Sequence, residues 1–122
     1  MLYAWGANSY GQLGLGYISE QELLPKPLDV VGPCSFVELT GGGGHTLAVT
    51  AGEDDARRLF VCGWNQSGQL GLRHNCDQAS LIDTGVHGVK AASGGWDFSL
   101  VLLMDGRVLS AGSNRYQQLG LS

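Results

Sequence analysis

The sequence predicts an all-β chain, a stretch of β-propeller built from blades of four antiparallel strands. Three observations point there. Glycine supplies 20 of the 122 residues without any G-X-Y period, a density that suits many tight turns and close backbone approaches. A turn motif, G-x-N-x-x-G-Q-L-G-L, occurs three times, and a second element recurs between its copies at nearly the same interval. The apolar residues fall in short runs bounded by Gly, Asn, Asp and Pro, with no sustained helical period, so no substantial helix is expected.

Each element follows from such a run. A strand near Leu2–Trp5 feeds the first motif copy, from Gly6-Ala7-Asn8 through Gly11-Gln12-Leu13-Gly14-Leu15. Strands near Lys26–Val30 and Phe36–Leu39 lead to the interleaved element, Gly42-Gly43-Gly44-His45-Thr46-Leu47-Ala48-Val49, whose apolar half predicts a strand at Thr46–Thr50. The connection from Ala51 to Arg58 is long and charged and reads as a surface excursion. Leu59–Cys62 then delivers the second motif copy, from Gly63-Trp64-Asn65 through Gly68-Gln69-Leu70-Gly71-Leu72. Strands near Ser80–Thr84 and Val89–Ala92 precede the second interleaved element, Gly95-Trp96-Asp97-Phe98-Ser99-Leu100-Val101-Leu102, with a strand over Phe98–Leu103. Asp105-Gly106 carries the signal of a two-residue hairpin, and Arg107–Ala111 leads to the third copy, Gly112-Ser113-Asn114 through Gln118-Leu119-Gly120-Leu121, where Gln117 replaces the middle Gly.

The motif copies lie 57 and 49 residues apart (Gly6, Gly63, Gly112) and the interleaved elements 53 apart (Gly42, Gly95). Repeat units therefore run over about 1–57 and 58–106, with a third beginning at 107–122. Four short strands per repeat of about fifty residues is one propeller blade, so the chain holds about two and a quarter. Within the motif, Gly6, Gly63 and Gly112 are expected to end a strand where a bulkier residue would collide. Asn8, Asn65 and Asn114 are expected to hydrogen-bond backbone in the turn. Leu13, Leu70 and Leu119 are expected to plug apolar gaps between blades.

Charge and composition exclude several functions. The net charge is −4 and Lys+Arg total only 7, so the clustered cations that a nucleic-acid footprint requires are missing. Arg57-Arg58, the one basic pair, follows Glu53-Asp54-Asp55 and reads as a solvated loop. Cys34, Cys62 and Cys76 are odd in number and lack CxxC spacing, which fits reduced thiols of the cytosol or nucleus. The start Met1-Leu2-Tyr3-Ala4-Trp5 is not a secretory signal, and no apolar run is long enough for a membrane span. Asn65-Gln66-Ser67 then matches a glycosylation sequon by chance.

Enzyme constellations are missing as well. Gly41–Gly44 lacks the following Gly-Lys-Ser/Thr of a phosphate loop, and the glycines of Gly11–Gly16 belong to the blade turn. His74, Cys76 and His87 match no zinc spacing, and no nucleophile elbow occurs. The expectation is a binding module with no covalent catalytic residue, no cofactor and no metal.

The combination of G-x-x-His-Thr-x-Ala-Val at 42–49, strands ending in Trp5-Gly6 and Cys62-Gly63, and N-x-x-G-Q-L-G after each resembles the regulator of chromosome condensation repeat family over almost the whole chain. Ala4–Gly16, Thr40–His45, Leu59–Gly63 and Gly95–Phe98 carry the likeness. The resemblance implies a share of a seven-bladed ring, whose closure requires further blades or self-assembly; a truncated or partial product is expected ahead of a self-assembling mini-propeller. It also implies a protein partner, either a small GTPase (Ran-like or secretory) whose nucleotide exchange is regulated, or, for a non-catalytic scaffold, secretory or ubiquitin-pathway partners. In the family the loop carrying G-x-x-H lies on the GTPase face, which makes His45, Trp96 and Asp97 the partner-binding candidates. For His45 a hydrogen bond that locks its loop outweighs a partner contact, and Phe98 stands at the matching place in the next repeat. For Trp96 and Asp97 the contact reading outweighs a turn cap, because Gly43 and Gly44 fill those places in the other copy.

Overall fold

Nine strands occur among the described residues, in the order that the repeat predicts. The computed structural model describes residues 2–28, 35–53 and 56–114. They form β1 (Tyr3–Ala7), β2 (Gln21–Pro27), β3 (Phe36–Gly41), β4 (His45–Thr50), β5 (Arg58–Gly63), β6 (Gln78–His87), β7 (Val89–Gly94), β8 (Phe98–Leu103) and β9 (Val108–Gly112). No α-helix occurs among the described residues. Pairing is antiparallel throughout and groups the strands as β1-β2, β3-β4-β5-β6 and β7-β8-β9. The middle group is one complete blade. By motif position β1 and β9 both match β5, its third strand, and the described strands make up a partial propeller.

Burial follows from this layering. Leu47, Ala48 and Val49 on β4 and Leu59–Cys62 on β5 are buried without alternation, as central strands covered on both faces must be. β8 alternates, burying Ser99, Val101 and Leu103. Leu47, Val49, Leu59 and Val61 of the middle sheet meet Val89, Ala92, Val101 and Leu103 of the third, and Leu70 from the turn after β5 completes the cluster at 2% exposure. Leu70 thus fills the gap expected of it. Leu13 takes the same part between the first two sheets, half-buried beside Leu2, Leu28, Leu39 and Leu81. Gln117, Gln118, Leu119 and Gly120 of the third motif copy lie outside the described residues.

Three local readings need correction. β2 begins at Gln21 rather than near Lys26. Pro25 and Pro27 lie within β2, which pairs only with β1 among the described residues, and an edge strand tolerates missing donors. β6 runs from Gln78 to His87 rather than Ser80–Thr84, because register shifts and Gly85, at φ +81°, carry it past its interruptions. The Asp-Gly hairpin has three loop residues, not two. Gly106 N donates to Leu103 O at 3.0 Å, Leu103 N donates to Arg107 O at 2.9 Å, and Gly106 takes φ +91°, which is a turn closed by a left-handed glycine.

Candidate protein-interaction rim

The strand directions gather five segments at one end of the sheets. β1, β3, β5, β7 and β9 all run towards it, so Asn8–Glu20, Gly42–Gly44, Trp64–Asp77, Gly95–Asp97 and Ser113-Asn114 share one rim. The turn motif makes that rim rigid. Asn65 Nδ2 donates to His74 O at 2.9 Å and Cys76 O at 3.0 Å, while its Oδ1 accepts from Leu70 N at 3.0 Å. Asn8 repeats the pattern with Tyr17 O at 2.9 Å and Leu13 N at 3.2 Å. Both side chains are fully buried, so the Asn65 sequon is closed to modification in the fold. Gln12 and Gln69 brace the same turns, each accepting through Oε1 at 2.9 Å from the backbone N–H two residues before it.

The interleaved element then ties blade to blade. Thr46 Oγ1 donates to Gln12 O at 2.7 Å, and Ser99 Oγ donates to Gln69 O at 2.6 Å. Cys62 Sγ also points at Gln12 O, at 3.3 Å; burial pushes this thiol up to about 12, which keeps it protonated. Gly63 and Gly112 carry φ +105° and +112°, and a Cβ at Gly63 would lie 2.5 Å from Gly44 O. One at Gly112 would strike Asp97 O, so these two glycines do end strands against the loop that follows the first strand. Gly6 has nothing within 4 Å, because no strand flanks that edge of β1 among the described residues.

His45 lies beneath its loop and is 1% exposed. Its Nε2 is 3.1 Å from Phe98 O and 2.9 Å from Ser99 Oγ, both in the next blade. Ser99 spends its proton on Gln69 O, so Nε2 faces two acceptors and must carry the imidazole hydrogen. Nδ1 then holds a buried lone pair without a partner. Desolvation lowers the pKa of this histidine, partly opposed by the bond to Phe98 O and by the Asp97 carboxylate. The ring leaves no room beside Gly42, where a Cβ would fall inside it, and Phe98 lies under Gly95 in the same way. His45 therefore reaches the surface only through the loop that it supports.

Trp96 and Asp97 are placed differently. Trp96 is 71% exposed, yet its loop is anchored: Gly43 N donates to Trp96 O at 3.1 Å and Ser113 N donates to Asp97 O at 3.0 Å. The indole lies against Gly43, where a Cβ would stand 2.7 Å from Trp96 Cδ2. Asp97 is half-buried and close enough to His45 for its charge to be felt there. The three candidates thus belong to one cluster, with His45 below and the other two at the surface.

Two rim residues escaped the sequence reading. Tyr10 and Trp64 stack with ring centroids 5.1 Å apart and an interplanar angle of 25°. Trp64 stands where the other copies have Ala7 and Ser113, and Tyr10 where they have Ser67 and Tyr116, so a comparison of repeats does not mark Trp64 and marks Tyr10 only through the recurring Tyr. The cue that could have found them was the choice of large aromatics at these two positions.

The regulator of chromosome condensation (RCC1) repeat describes residues 1–49 and 58–102, and again residues 89–118. Among curated proteins, the mouse (Mus musculus) secretion-regulating guanine nucleotide exchange factor is 46% identical over 99% of the chain, which covers 26% of that protein. The human (Homo sapiens) probable E3 ubiquitin-protein ligase HERC4 is 33% identical over 98% of the chain, which covers 11% of it. The chain thus spans about a quarter or less of these relatives. Yeast RCC1 (Prp20), solved bound to Kap60, superposes with a TM-score of 0.87 at 19% identity, covering 98% of this chain and 30% of that one.

Proposed function

The chain belongs to the regulator of chromosome condensation repeat family, and from that premise we propose that it is the part of a propeller that recognises a small GTPase, Ran-like or secretory, and regulates its nucleotide exchange. The observation that carries this reading is Trp96, a large aromatic held exposed on a hydrogen-bonded loop beside Asp97. An exposed, rigid Trp is a typical anchor of a protein interface. One relative supports the class of partner, since it is named a guanine nucleotide exchange factor.

Exchange of this kind needs no covalent chemistry. A surface that binds the nucleotide-free GTPase more tightly than the loaded one shifts the equilibrium towards release, in proportion to its differential affinity. In this scheme Trp96 supplies contact area, Asp97 a charged acceptor, and His45 with Gly42 and Gly43 fixes the loop height. The test is release of fluorescent GDP from Ran-like and secretory GTPases in the presence of the chain. Accelerated release that falls about tenfold or more in Asp97→Ala supports the reading, the size expected when a charged interface hydrogen bond is lost. Binding without acceleration favours a scaffold that tethers secretory or ubiquitin-pathway partners, the second reading, which the likeness to an E3 ubiquitin-protein ligase supports. Neither binding nor acceleration overturns both.

A further inference from the structure

The rim offers more than the Trp96–Asp97 pair. A Cβ at Gly44 would stand 2.8 Å from Tyr10 Cδ2 and 3.2 Å from Trp64 Cβ, while Gly43 carries the Trp96 indole. Three aromatic side chains therefore flank a single Gly-Gly step, the Tyr10–Trp64 stack on one side and Trp96 on the other. Tyr10 and Trp96 are exposed and Trp64 is half-buried. The step between them is fixed from both directions, since Trp64 N donates to Gly44 O at 2.8 Å and Gly43 N donates to Trp96 O at 3.1 Å. The result is a preformed aromatic shelf.

Most of the Lys and Arg residues of the sheets lie away from it. Lys26, Arg57, Arg58, Lys90 and Arg107 all lie at or near the strand ends remote from the rim, where Arg58 pairs with Asp83 at 2.9 Å and Arg107 with Asp105 at 2.8 Å. The rim segments carry Glu20, Asp77 and Asp97, with Arg73 as their one Lys or Arg among the described residues. An acidic, aromatic surface calls for a cation that stacks. A guanidinium is planar and weakly hydrated, lies flat on aromatic faces, and presents a fork to a carboxylate. An ammonium has no plane to stack and holds its water more firmly.

We infer that the Tyr10–Trp64–Trp96 shelf receives an arginine side chain of the protein partner, with Asp97 as its carboxylate acceptor. The inference rests on the rim being the partner face, and it adds the chemistry by which that face selects. A partner presenting lysine at the same point binds more weakly, and one presenting a neutral side chain loses the site.

The experiment is a titration of the isotopically labelled chain with acetyl-Gly-Arg-Gly-Arg-Gly-amide, followed through the indole N–H signals of Trp64 and Trp96. The same peptide with lysine, and with citrulline as the neutral isostere, completes the series. The expected result is saturable movement of both indole signals by the arginine peptide, about threefold or more weaker binding of the lysine peptide, and no movement with citrulline, a spread set by cation–π strength. Trp96→Ala and Tyr10→Ala, both at exposed side chains, weaken the arginine peptide, while Trp96→Phe recovers part of it. Equal response to arginine and citrulline, or full affinity in a Trp96→Ala variant of unchanged circular dichroism, overturns the inference. Its failure is separable from that of the exchange reading. GTPase binding that depends on Asp97 without any arginine preference leaves the rim standing and removes the shelf, and an arginine preference without GTPase binding does the reverse.

Discussion

His45 shows how much one buried residue decides. Its Nε2–H joins two blades through Phe98 O and Ser99 Oγ, while Nδ1 has no partner. Burial makes the charged form costly, so the folded-state pKa lies below the ordinary histidine value. An unfolded chain then binds more protons than the folded one at pH values between the folded and unfolded pKa, and stability must fall as pH falls through that window. The expected outcome is a urea midpoint that is level above about pH 7 and declines as the pH drops below about 6.5, the unfolded reference. Asp97→Asn removes a charge that favours the imidazolium, so it should extend the decline to lower pH. A midpoint unchanged between neutral pH and pH 5 in both proteins would contradict this account. Gly42 belongs to the same unit, because any side chain there enters the imidazole ring; sequence showed the glycine run, and only the structure shows the ring that demands it.

Among the elements, the turn after β5 shows what was legible and what was not. The motif announced itself through three copies, and the roles read for Asn65, Gly63 and Leu70 are those the structure gives them, because each role is local or repeats at every blade. What stayed hidden is non-local and unrepeated: the Tyr10–Trp64 stack spans two motif copies, and the bond from His45 to Phe98 O spans 53 residues. β2 was placed too late for a different reason, since Gln21 and Glu22, which open it, carry no apolar or β-branched signal. Asn65 permits a direct test at this scale. Asn65→Ala leaves His74 O, Cys76 O and Leu70 N without their buried partner. At about 1–3 kcal/mol for each buried group that water cannot reach, the variant should lose about 2–4 kcal/mol of stability by denaturant unfolding. Gln66→Ala, an exposed neighbour whose Nε2 reaches Asp77 at 3.3 Å, should change it by less than about 0.5 kcal/mol.

At the scale of the whole chain, each sheet is stable only through its neighbours. Blades stacked in sequence behave as units whose stability sums their own terms and those of each interface. The two interfaces here are unequal. Leu70 is fully enclosed by both sheets between the second and third, together with eight other buried apolar residues, whereas Leu13 between the first and second is only half-buried. Truncating Leu70 removes the wedge that joins the turn to β4, β5 and β8, at a cost of about 2–5 kcal/mol for a buried Leu→Ala change. That loss falls on one interface, so it should not be shared evenly. In native-state hydrogen exchange of Leu70→Ala, the amides of β7–β9 should lose protection first and most, those of β3–β6 less, and those of β1–β2 least. Leu13→Ala should give a smaller loss, concentrated in β1–β2. Equal loss across all nine strands in either variant would mean that the partial propeller opens as one cooperative body rather than sheet by sheet. The rim would then be only as stable as the entire chain, and Trp96 would lose its fixed position whenever any interface opened.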